Sequence, residues 1–255
     1  MASTTPSRPA APARPPKAAM MVAQRIVRDS LRDGLKPGDL MSPERTMLEK
    51  YQTGRGTLRE ALRLLEFQGV IALKPGPRGG PVLQNPDASH LASTVVLLMQ
   101  INEAPFRTIV EVRSAMEPMI SSLAAVRMNE DDLADLAATI DQMRTDMDDQ
   151  FSFLEANKRF HDVIAWSSGN VLFGYIVDSL LGIMDGTVIG IHYPTHRRQA
   201  ILVAHQEIYE ALKSRDPAAS QARMQEHIDA YVKYAERKYP QLLQETTPWD
   251  QRYFS

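Results

Sequence analysis

Apolar residues recur at helical spacing along most of the chain, and three such stretches lie in its first third. They predict helices over residues 17–34, 43–51 and 55–68. Ser42 is suited to be the N-cap of the second helix. Pro43 is suited to be its first residue, because proline lacks the N–H that would stay unpaired there. Gly69 is suited to end the third helix.

Two short extended segments follow the third helix. Residues 70–73 form an apolar run of strand type, and an extended segment resumes over 81–83. The residues between them combine Gly and Pro with basic side chains, which predicts a turn and excludes a helix. Three helices and such a hairpin predict a winged helix-turn-helix domain over 17–84, after a disordered leader over 1–16 that is rich in Pro, Ala and Ser.

The remainder of the chain has a helical pattern. Helices are predicted over residues 87–101, 104–128, 130–148, 150–168, 170–190, 197–214 and 217–238. Because the connections are short, neighbouring helices are expected to pack antiparallel. The predicted fold is therefore mainly α. It comprises the winged domain, a linker and first bundle helix over 85–99, an all-helical antiparallel bundle that binds an effector over 100–239, and a loosely packed tail over 240–255.

Charge is distributed unevenly between the two regions. Residues 1–84 carry 14 Lys and Arg against 7 Asp and Glu, whereas the remaining residues carry 15 against 24. A basic first region followed by an acidic second region indicates a polyanionic partner for the first region only.

The composition excludes several kinds of chemistry. The chain has no cysteine, which excludes disulfides, thiolate metal sites, iron–sulfur clusters and cysteine nucleophiles. No apolar stretch approaches the roughly 18 residues that a membrane span requires, and residues 1–16 lack the apolar core of a secretory signal. We therefore expect a cytoplasmic protein without a membrane partner.

Arginines repeat every four residues on the third predicted helix. Arg55, Arg59 and Arg63 share a face that adjoins the apolar one. Arginine can hold guanine O6 and N7 in a bidentate contact or grip phosphates, which suits a helix in the DNA major groove. Arg45, early in the second helix, is placed to meet the DNA backbone, and Gly76 would let the wing approach DNA closely. An ordinary solvated helix face is the alternative explanation of the arginine stripe.

Four segments of this region have a distinctive order and spacing. They are Lys36-Pro37-Gly38-Asp39-Leu40, Ser42-Pro43-Glu44-Arg45, Arg55-Gly56-Thr57-Leu58-Arg59-Glu60-Ala61-Leu62 and Gly69-Val70-Ile71. Over about residues 18–84, the chain resembles the DNA-binding domain of the GntR family of bacterial transcription regulators. The resemblance implies that double-stranded operator DNA is contacted by Arg45, Arg55, Thr57, Arg59 and Gly76. The chain departs from the family at Gly54, where a Ser or Thr usually contacts a phosphate.

Three predicted helices of the second region each carry one histidine in their apolar stripe. These are His161, His205 and His227, and Asn157 precedes the first of them by one helical turn. A single such histidine is usually a core residue with a hydrogen bond, but burying three polar rings without partners would cost about 1–3 kcal/mol each. A divalent metal such as Zn or Ni would satisfy all three rings. The spacing alone fits both explanations.

Further motifs are spread over the second region. They are Glu111-Val112-Arg113, Glu117, Ala124-Ala125, Phe160-His161, Ser168-Gly169-Asn170, His205 and Met224-Gln225-Glu226-His227. Over about residues 100–238, the chain resembles the FCD effector domain of the FadR-type branch of the GntR family. The resemblance implies a helical bundle with a ligand cavity and a divalent metal, expected to be Zn or Ni, held by Asn157, His161, His205 and His227. Most members have Asp where this chain has Asn157.

Arg113 lies in the apolar stripe of the predicted helix 104–128. A buried arginine needs an anion, because an unpaired buried charge is costly. An ion pair with Glu117, four residues later, is one explanation. The other is a contact with the carboxylate of an effector. The FCD resemblance favours the second, because the matching arginine of that domain lines the cavity.

Together these features predict a ligand-responsive transcription regulator, of which repressors are one kind, and not an enzyme. A homodimer would bind a pseudo-palindromic operator, because one winged helix reads too few base pairs and two-fold symmetry supplies a second half-site. A small carboxylate effector, free or bound to the metal, would change the arrangement of the two DNA-binding domains.

Two other classes of function compete with this interpretation. A metal-dependent hydrolase could use the three-histidine site to activate water. No general base is expected beside the ligands, however, because Glu155 is two residues from Asn157 and should point away from it on a helix. An architectural DNA-binding protein with a purely structural second region would have neither an effector nor a sequence preference.

Overall fold

The computed structural model describes residues 18–76, 79–184 and 191–249 of the 255-residue chain. The chain divides into two compact units, with the boundary after Pro86. The predicted leader, the tip of the predicted wing at 77–78 and the end of the predicted tail lie outside the described residues.

Three helices and a two-stranded hairpin form the first unit. The helices are α1 (Ala18–Arg32), α2 (Glu44–Tyr51) and α3 (Arg55–Phe67), and the strands are β1 (Ile71–Lys74) and β2 (Gly80–Leu83). The strands pair antiparallel, which confirms the winged helix-turn-helix. Helix α2 begins one residue later than predicted, because Pro43 keeps an extended backbone and is itself the N-cap.

The core of the first unit lies where the apolar stripes of α1 and α3 meet. Ile26 of α1 and Leu58 of α3 are both fully buried there. Strand β2 has a second neighbour that the sequence did not indicate, because Leu40 forms a bridge with Val82. The N–H of Met41 also donates to the carbonyl of Pro81 at 2.8 Å. The wing is therefore anchored to the segment before α2 as well as to α3.

The described part of the second unit contains seven α-helices. They are α4 (Ser89–Ile101), α5 (Arg107–Arg127), α6 (Glu130–Thr145), α7 (Gln150–Ser167), α8 (Val171–Ile183), α9 (Thr195–Lys213) and α10 (Pro217–Lys238). The predicted all-helical bundle is confirmed. Helix α8 ends earlier than predicted, and residues 185–190 lie outside the described part of the chain. Within the described ranges, no helix combines the length and the apolar character that crossing a membrane requires.

Side-chain caps set where several of these helices begin. The side chain of Asn129 accepts a hydrogen bond from the N–H of Asp132, whose carboxylate accepts one from the N–H of Asn129. Single side chains cap α7, α8 and α10, and these are Asp149, Asn170 and Asp216. Each cap lies within one residue of a predicted break between helices.

Helices α5, α7, α9 and α10 face one another in the middle of the bundle. Helix α5 packs along α10 and against α7, and α9 packs against α10 and α6. Large apolar side chains such as Phe153 and Phe160 of α7 and Ile208 of α9 are completely buried between them. The polar residues on the inner faces of these four helices must therefore find partners within the bundle.

The segment after α10 is more ordered than the loosely packed tail that the sequence predicted. Residues Leu242–Gln244 form a 3-10 turn, in which Leu243 is buried. The N–H of Phe106 donates to the carbonyl of Glu245 at 2.9 Å, and the indole N–H of Trp249 donates to the hydroxyl of Ser93 at 2.8 Å. Tertiary contacts with α4 and the start of α5, which leave no periodic pattern in the sequence, hold this segment as far as Trp249.

Candidate functional site

Three helices bring three buried histidines together in the middle of the second unit. His161 belongs to α7, His205 to α9 and His227 to α10. One ring nitrogen from each lies within 4.8 Å of the others. The Nε2 atoms of His205 and His227 are 3.3 Å apart. The three histidines that the sequence singled out thus form a single cluster.

Burial determines the protonation state of two of these histidines. It lowers the pKa of His205 and of His227 well below the ordinary value, and the neighbouring histidine rings act in the same direction. Both imidazoles are therefore neutral at neutral pH. The neutral ring is the form that offers a lone pair to a metal ion.

Glu117 of α5 connects the cluster to Arg113. Its Oε2 lies 2.7 Å from Nδ1 of His161, and its Oε1 is ion-paired with Nε of Arg113. Burial opposes the negative charge of Glu117, but Arg113 and His161 outweigh it and hold the pKa of the carboxyl well below its usual range. A carboxylate at Nδ1 orients the ring of His161 and leaves Nε2 available to a metal, an arrangement common around zinc.

A cavity opens beside this cluster. His161, His227, Asn157 and Arg113 are among the residues that line it. His205 lies behind them, completely buried, with its ring stacked on Phe160 at 3.9 Å between centroids. The cavity thus brings the predicted fourth ligand, Asn157, and the predicted effector-binding residue, Arg113, to the same space as two of the histidines.

The cluster has dimensions that suit a metal ion. Two imidazole nitrogens bound to a tetrahedral Zn²⁺ at about 2.0–2.1 Å would lie roughly 3.3 Å apart. That is the separation of Nε2 of His205 from Nε2 of His227. A hydrogen bond between these two neutral rings fits the same distance, but it does not explain why His161 converges on them with a carboxylate at its far nitrogen. A donor set of three imidazoles fits a divalent ion, and Asn157, which lines the same cavity, is the residue that could add an amide oxygen.

The sequence offered two alternative explanations for Arg113, an ion pair with Glu117 and a position at the cavity, and the structure shows both. Arg113 is ion-paired with Glu117, and it also lines the cavity, where its Nη1 lies 3.5 Å from the sulfur of Met184. Glu155, which the helical spacing predicts to point away from Asn157, is an exposed residue that borders this cavity and also a second pocket between α6 and α7. The residues of α7 that line the cavity, which also include Leu154, span a wide arc of the helix surface.

Sequence reasoning missed four polar residues that line the cavity, namely Lys158, Tyr193, Arg197 and Tyr231. Tyr231 follows His227 by one turn of α10, a spacing that could have indicated it. Arg197 stands next to His196 and Arg198 at the start of α9, in a polar run typical of an exposed surface. Its place at the cavity depends on how α9 packs.

The first unit presents its arginines to solvent. Arg55 and Arg59 of α3 and Arg45 of α2 are exposed, and Thr57 is half-buried. Gly76, in the turn of the wing, has a φ of +105°, and a Cβ there would meet no atom of the described part of the chain within 4 Å. This backbone conformation favours glycine. The five predicted DNA contacts thus lie on α2, α3 and the wing, with four of them exposed.

The start of α3 has no side-chain cap. Gly54 is the N-cap, and its backbone is extended. The first N–H groups of α3 therefore have no partner from a capping side chain and can meet a phosphate. Nε of Arg59 lies 3.6 Å from Oε2 of Glu44 at an exposed position. Such surface pairs are weak, so Arg59 can exchange Glu44 for DNA.

A winged helix-turn-helix followed by a helical bundle with a buried histidine cluster is typical of a DNA-binding regulator with a second, helical unit. Comparison with known proteins agrees with this class. The family model for "Bacterial regulatory proteins, gntR family" matches residues 18–78, and the model for "FCD domain" matches residues 108–230.

Two relatives illustrate the similarity. The chain is 33% identical to the uncharacterized HTH-type transcriptional regulator YcbG of Bacillus subtilis (strain 168), over 82% of this chain and 86% of that protein. It is 27% identical to the galactonate operon transcriptional repressor of Escherichia coli (strain K12), over 74% of this chain and 84% of that protein. Among solved structures, Streptococcus agalactiae GntR shares the fold with a TM-score of 0.67 at 21% identity, over 84% of this chain and 99% of that one.

The chain therefore belongs to the GntR family of bacterial transcription regulators, and its second unit contains an FCD domain. It is a DNA-binding transcription regulator.

Proposed function

We propose that the protein is a repressor whose affinity for DNA is controlled by a small carboxylate, which binds in the cavity beside a metal ion. The observation that carries this proposal is the convergence of His161, His205 and His227 beside a cavity that Arg113 also lines. The Escherichia coli relative is named as the repressor of an operon, which supports repression as the mode of action.

Asn157, His161, His205 and His227 would hold the metal ion, with Zn²⁺ or Ni²⁺ suited to the imidazole ligands. When bound, the ion supplies a Lewis-acidic position at which a carboxylate can be held. Glu117 keeps the ring of His161 in place from behind. Because Asn157 is neutral, the four ligands bring no negative charge, so the ion keeps its full attraction for an anionic effector.

On the DNA side, two of the three exposed arginines of α3 would enter the major groove. Arg55 and Arg59 would contact bases or phosphates there, and Arg45 and Thr57 would contact the backbone. The wing turn at Gly76 would lie against the adjacent backbone or minor groove. These roles agree with the exposure of α3 and with the excess of positive charge in this part of the sequence.

A homodimer would supply the second half-site, and one face of α5 fits a second copy of this chain. Its positions follow the alternating spacing of four and three residues that is typical of a coiled-coil seam: Thr108, Val112, Ala115, Met119, Ser122 and Val126. No residue in this seam is charged, and Val112, Met119 and Val126 are exposed. Small side chains alternate with large ones, so the same helix from a second copy can pack closely against it in a two-fold arrangement.

Sedimentation velocity tests the dimer. The wild-type chain is expected to sediment as a dimer at micromolar concentration, and Met119→Glu as a monomer, because it places a charge in the seam. Val203→Glu changes an equally exposed apolar residue of α9 and is expected to leave the dimer intact. A monomeric wild type, or a dimeric Met119→Glu variant, would contradict the role of α5.

We further infer that the protein acts in the cytoplasm, where its DNA target lies, and that it has no catalytic role. The hydrolase interpretation gains no support from the family to which the chain belongs. Glu155, the acidic residue at the cavity nearest to Asn157 in sequence, is exposed to solvent.

Selection of duplex DNA from a random library by the full chain tests the regulatory function. We expect enrichment of two inverted half-sites separated by about 10 base pairs or a multiple of that. The selected duplex is then titrated with protein loaded with Zn²⁺, with and without galactonate, galactarate, hexanoate and adipate. At least one acid is expected to change the affinity by about fivefold or more, and His161→Gln to lose that response. Enrichment of no sequence, or an affinity that none of these acids changes, would contradict the proposal.

A further inference from the structure

Arg197 differs from the other cations of the cavity in having no carboxylate partner among the described residues. Arg113 is paired with Glu117, and Nζ of Lys158 lies 3.5 Å from Oδ1 of Asp178. Within the described ranges, Arg197 donates to the carbonyl of Ala230 at 3.0 Å, and its Cζ lies 4.7 Å from the centroid of the Tyr234 ring. Its Nε is buried and lacks a hydrogen-bond partner in the described part of the chain.

The surroundings of Arg197 disfavour its charge. Burial lowers the pKa of Arg197, and Arg237 acts in the same direction, while only tyrosine side chains oppose them. For Arg113 burial acts likewise, but Glu117 outweighs it and the pKa is raised. A half-buried cation with a buried, unpaired Nε and no carboxylate partner among the described residues is a candidate partner for an anion from outside.

A second donor without an acceptor lies in the same cavity. The hydroxyl of Tyr231 is buried and has no hydrogen-bond partner among the described residues. Burial raises the pKa of Tyr231 to about 12, so the hydroxyl remains protonated and can donate. Buried polar groups are rarely left unpaired. An oxygen-rich anion in the cavity would satisfy both Tyr231 and Nε of Arg197.

These two donors lie on the same side of the histidine cluster. Helices α9 and α10 are consecutive, are joined by a short connection and run antiparallel, with His205 and His227 meeting between them. Arg197 precedes His205 by eight residues, or about 12 Å along α9. Tyr231 follows His227 by four residues, or about 6 Å along α10. Because the helices are antiparallel, both displacements point the same way along the bundle.

We infer that Arg197, together with Tyr231, binds a second anionic group of the effector, so that the cavity takes a dianionic organic acid. One carboxylate lies at the histidine cluster, and the other group lies further along α9 and α10. Arg197 is then the residue that distinguishes a dianion from a monoanion of the same length, whereas the charge of Arg113 is already balanced by Glu117. This inference rests on the proposed sensing function and specifies the ligand class of the same cavity.

Calorimetric titration of the full, Zn²⁺-loaded chain with matched acids tests this inference. Galactarate and galactonate have the same six-carbon chain and differ by one carboxylate, as do adipate and hexanoate. In at least one pair the wild type is expected to bind the dianion about tenfold more tightly than the monoanion. Arg197→Gln is expected to reduce that preference to about twofold or less. Tyr231→Phe is expected to weaken binding of the preferred dianion by about threefold or more.

Arg144→Gln is the matched control, because this exposed arginine of α6 pairs with Asp141 and does not line the cavity. It is expected to keep the preference for the dianion. Absence of any preference in the wild type, or a preference that persists in Arg197→Gln, would overturn the assignment. Metal content and affinity for the selected duplex are measured on the same samples. Acids that change the DNA affinity without any dianion preference would overturn the role of Arg197 alone, whereas no effect of any acid on DNA binding would overturn the sensing function as well.

Discussion

Nε2 of His205 and Nε2 of His227 lie 3.3 Å apart across two antiparallel helices. Each ring is held by its own helix, and His205 is further fixed by its stacking on Phe160. The third ring, His161, is positioned by the carboxylate of Glu117. The three histidines therefore tie α7, α9 and α10 together at one point, with Glu117 connecting them to α5.

Replacing Glu117 tests how far the histidine cluster depends on this carboxylate. Glu117→Gln keeps the shape of the side chain but leaves Arg113 as a buried, unpaired charge, so we expect a loss of about 3–5 kcal/mol in the free energy of unfolding. Zn²⁺ affinity is expected to fall by about 10- to 100-fold, because His161 loses its orienting partner. Urea denaturation and competition with a chelating dye measure the two effects.

The control for this variant is Glu236→Gln, which removes an exposed partner of Arg107 at 3.0 Å. It is expected to cost less than about 1 kcal/mol and to leave Zn²⁺ affinity unchanged. Equal losses in the two variants would mean that Glu117 is no more than an ordinary ion-pair partner.

Two glycines of α8 allow a matched test of side-chain packing, because one is crowded and the other is not. A Cβ at Gly174 would lie 2.4 Å from Cδ2 of Trp166, whereas a Cβ at Gly182 would meet no atom of the described residues within 4 Å. We therefore expect Gly174→Ala to destabilise the chain by about 1–3 kcal/mol. Gly182→Ala is expected to stabilise it by about 0.5–1 kcal/mol, because alanine suits a helix interior better. Thermal and urea denaturation of both variants test this, and a tolerated Gly174→Ala would contradict the close packing of α8 on Trp166.

Arg59 is predicted to contribute directly to DNA recognition. Arg59→Ala is expected to cost about 1–3 kcal/mol of binding and to relax the preference at one base position, if the guanidinium contacts a base. A uniform loss on all sequences would instead assign Arg59 to a phosphate. Fluorescence anisotropy with the selected duplex and with single-base variants of it separates the two. Arg32→Ala, at an exposed position of α1, is the control and is expected to change affinity by less than about twofold.

Restoring a hydroxyl at Gly54 is predicted to strengthen DNA binding. Gly54 is the N-cap of α3, its backbone is extended, and a Cβ there would meet none of the described atoms within 4 Å. Gly54→Ser adds a capping oxygen and a donor for phosphate, so we expect an affinity gain of roughly 2- to 10-fold. Gly54→Ala adds the same Cβ without the hydroxyl and should show no such gain. If both variants behave alike, the missing hydroxyl is not what limits binding.

Local patterns predicted most of the fold because they reflect local physics. Helical spacing, the caps at Asn129 and Asp216 and the turn residues of the wing act within a few residues of the chain. The predicted bounds of the helices are therefore close to those observed, except at the end of α8. The ordered segment from Leu243 to Trp249 could not be predicted, because its partners on α4 and at the start of α5 lie far away in sequence.

In the candidate site, too, some features could be predicted from local sequence patterns and others depend on tertiary packing. The histidines were recognisable because each interrupts an apolar stripe, and Glu117 because it stands one turn after Arg113. The contact of Glu117 with His161, and the position of Arg197 at the cavity, arise only when α5, α7, α9 and α10 pack together. No spacing within one helix encodes them.

Elemental analysis of the purified, unchelated chain tests the metal centre most directly, with His205→Phe measured alongside. Phenylalanine replaces the buried ring that stacks on Phe160, and so removes a ligand while keeping the packing. We expect about one divalent ion per wild-type chain, in line with the single three-histidine cluster of the described residues, and none in the variant. A metal-free wild type, or the same metal content in both proteins, would contradict a metal centre at these histidines.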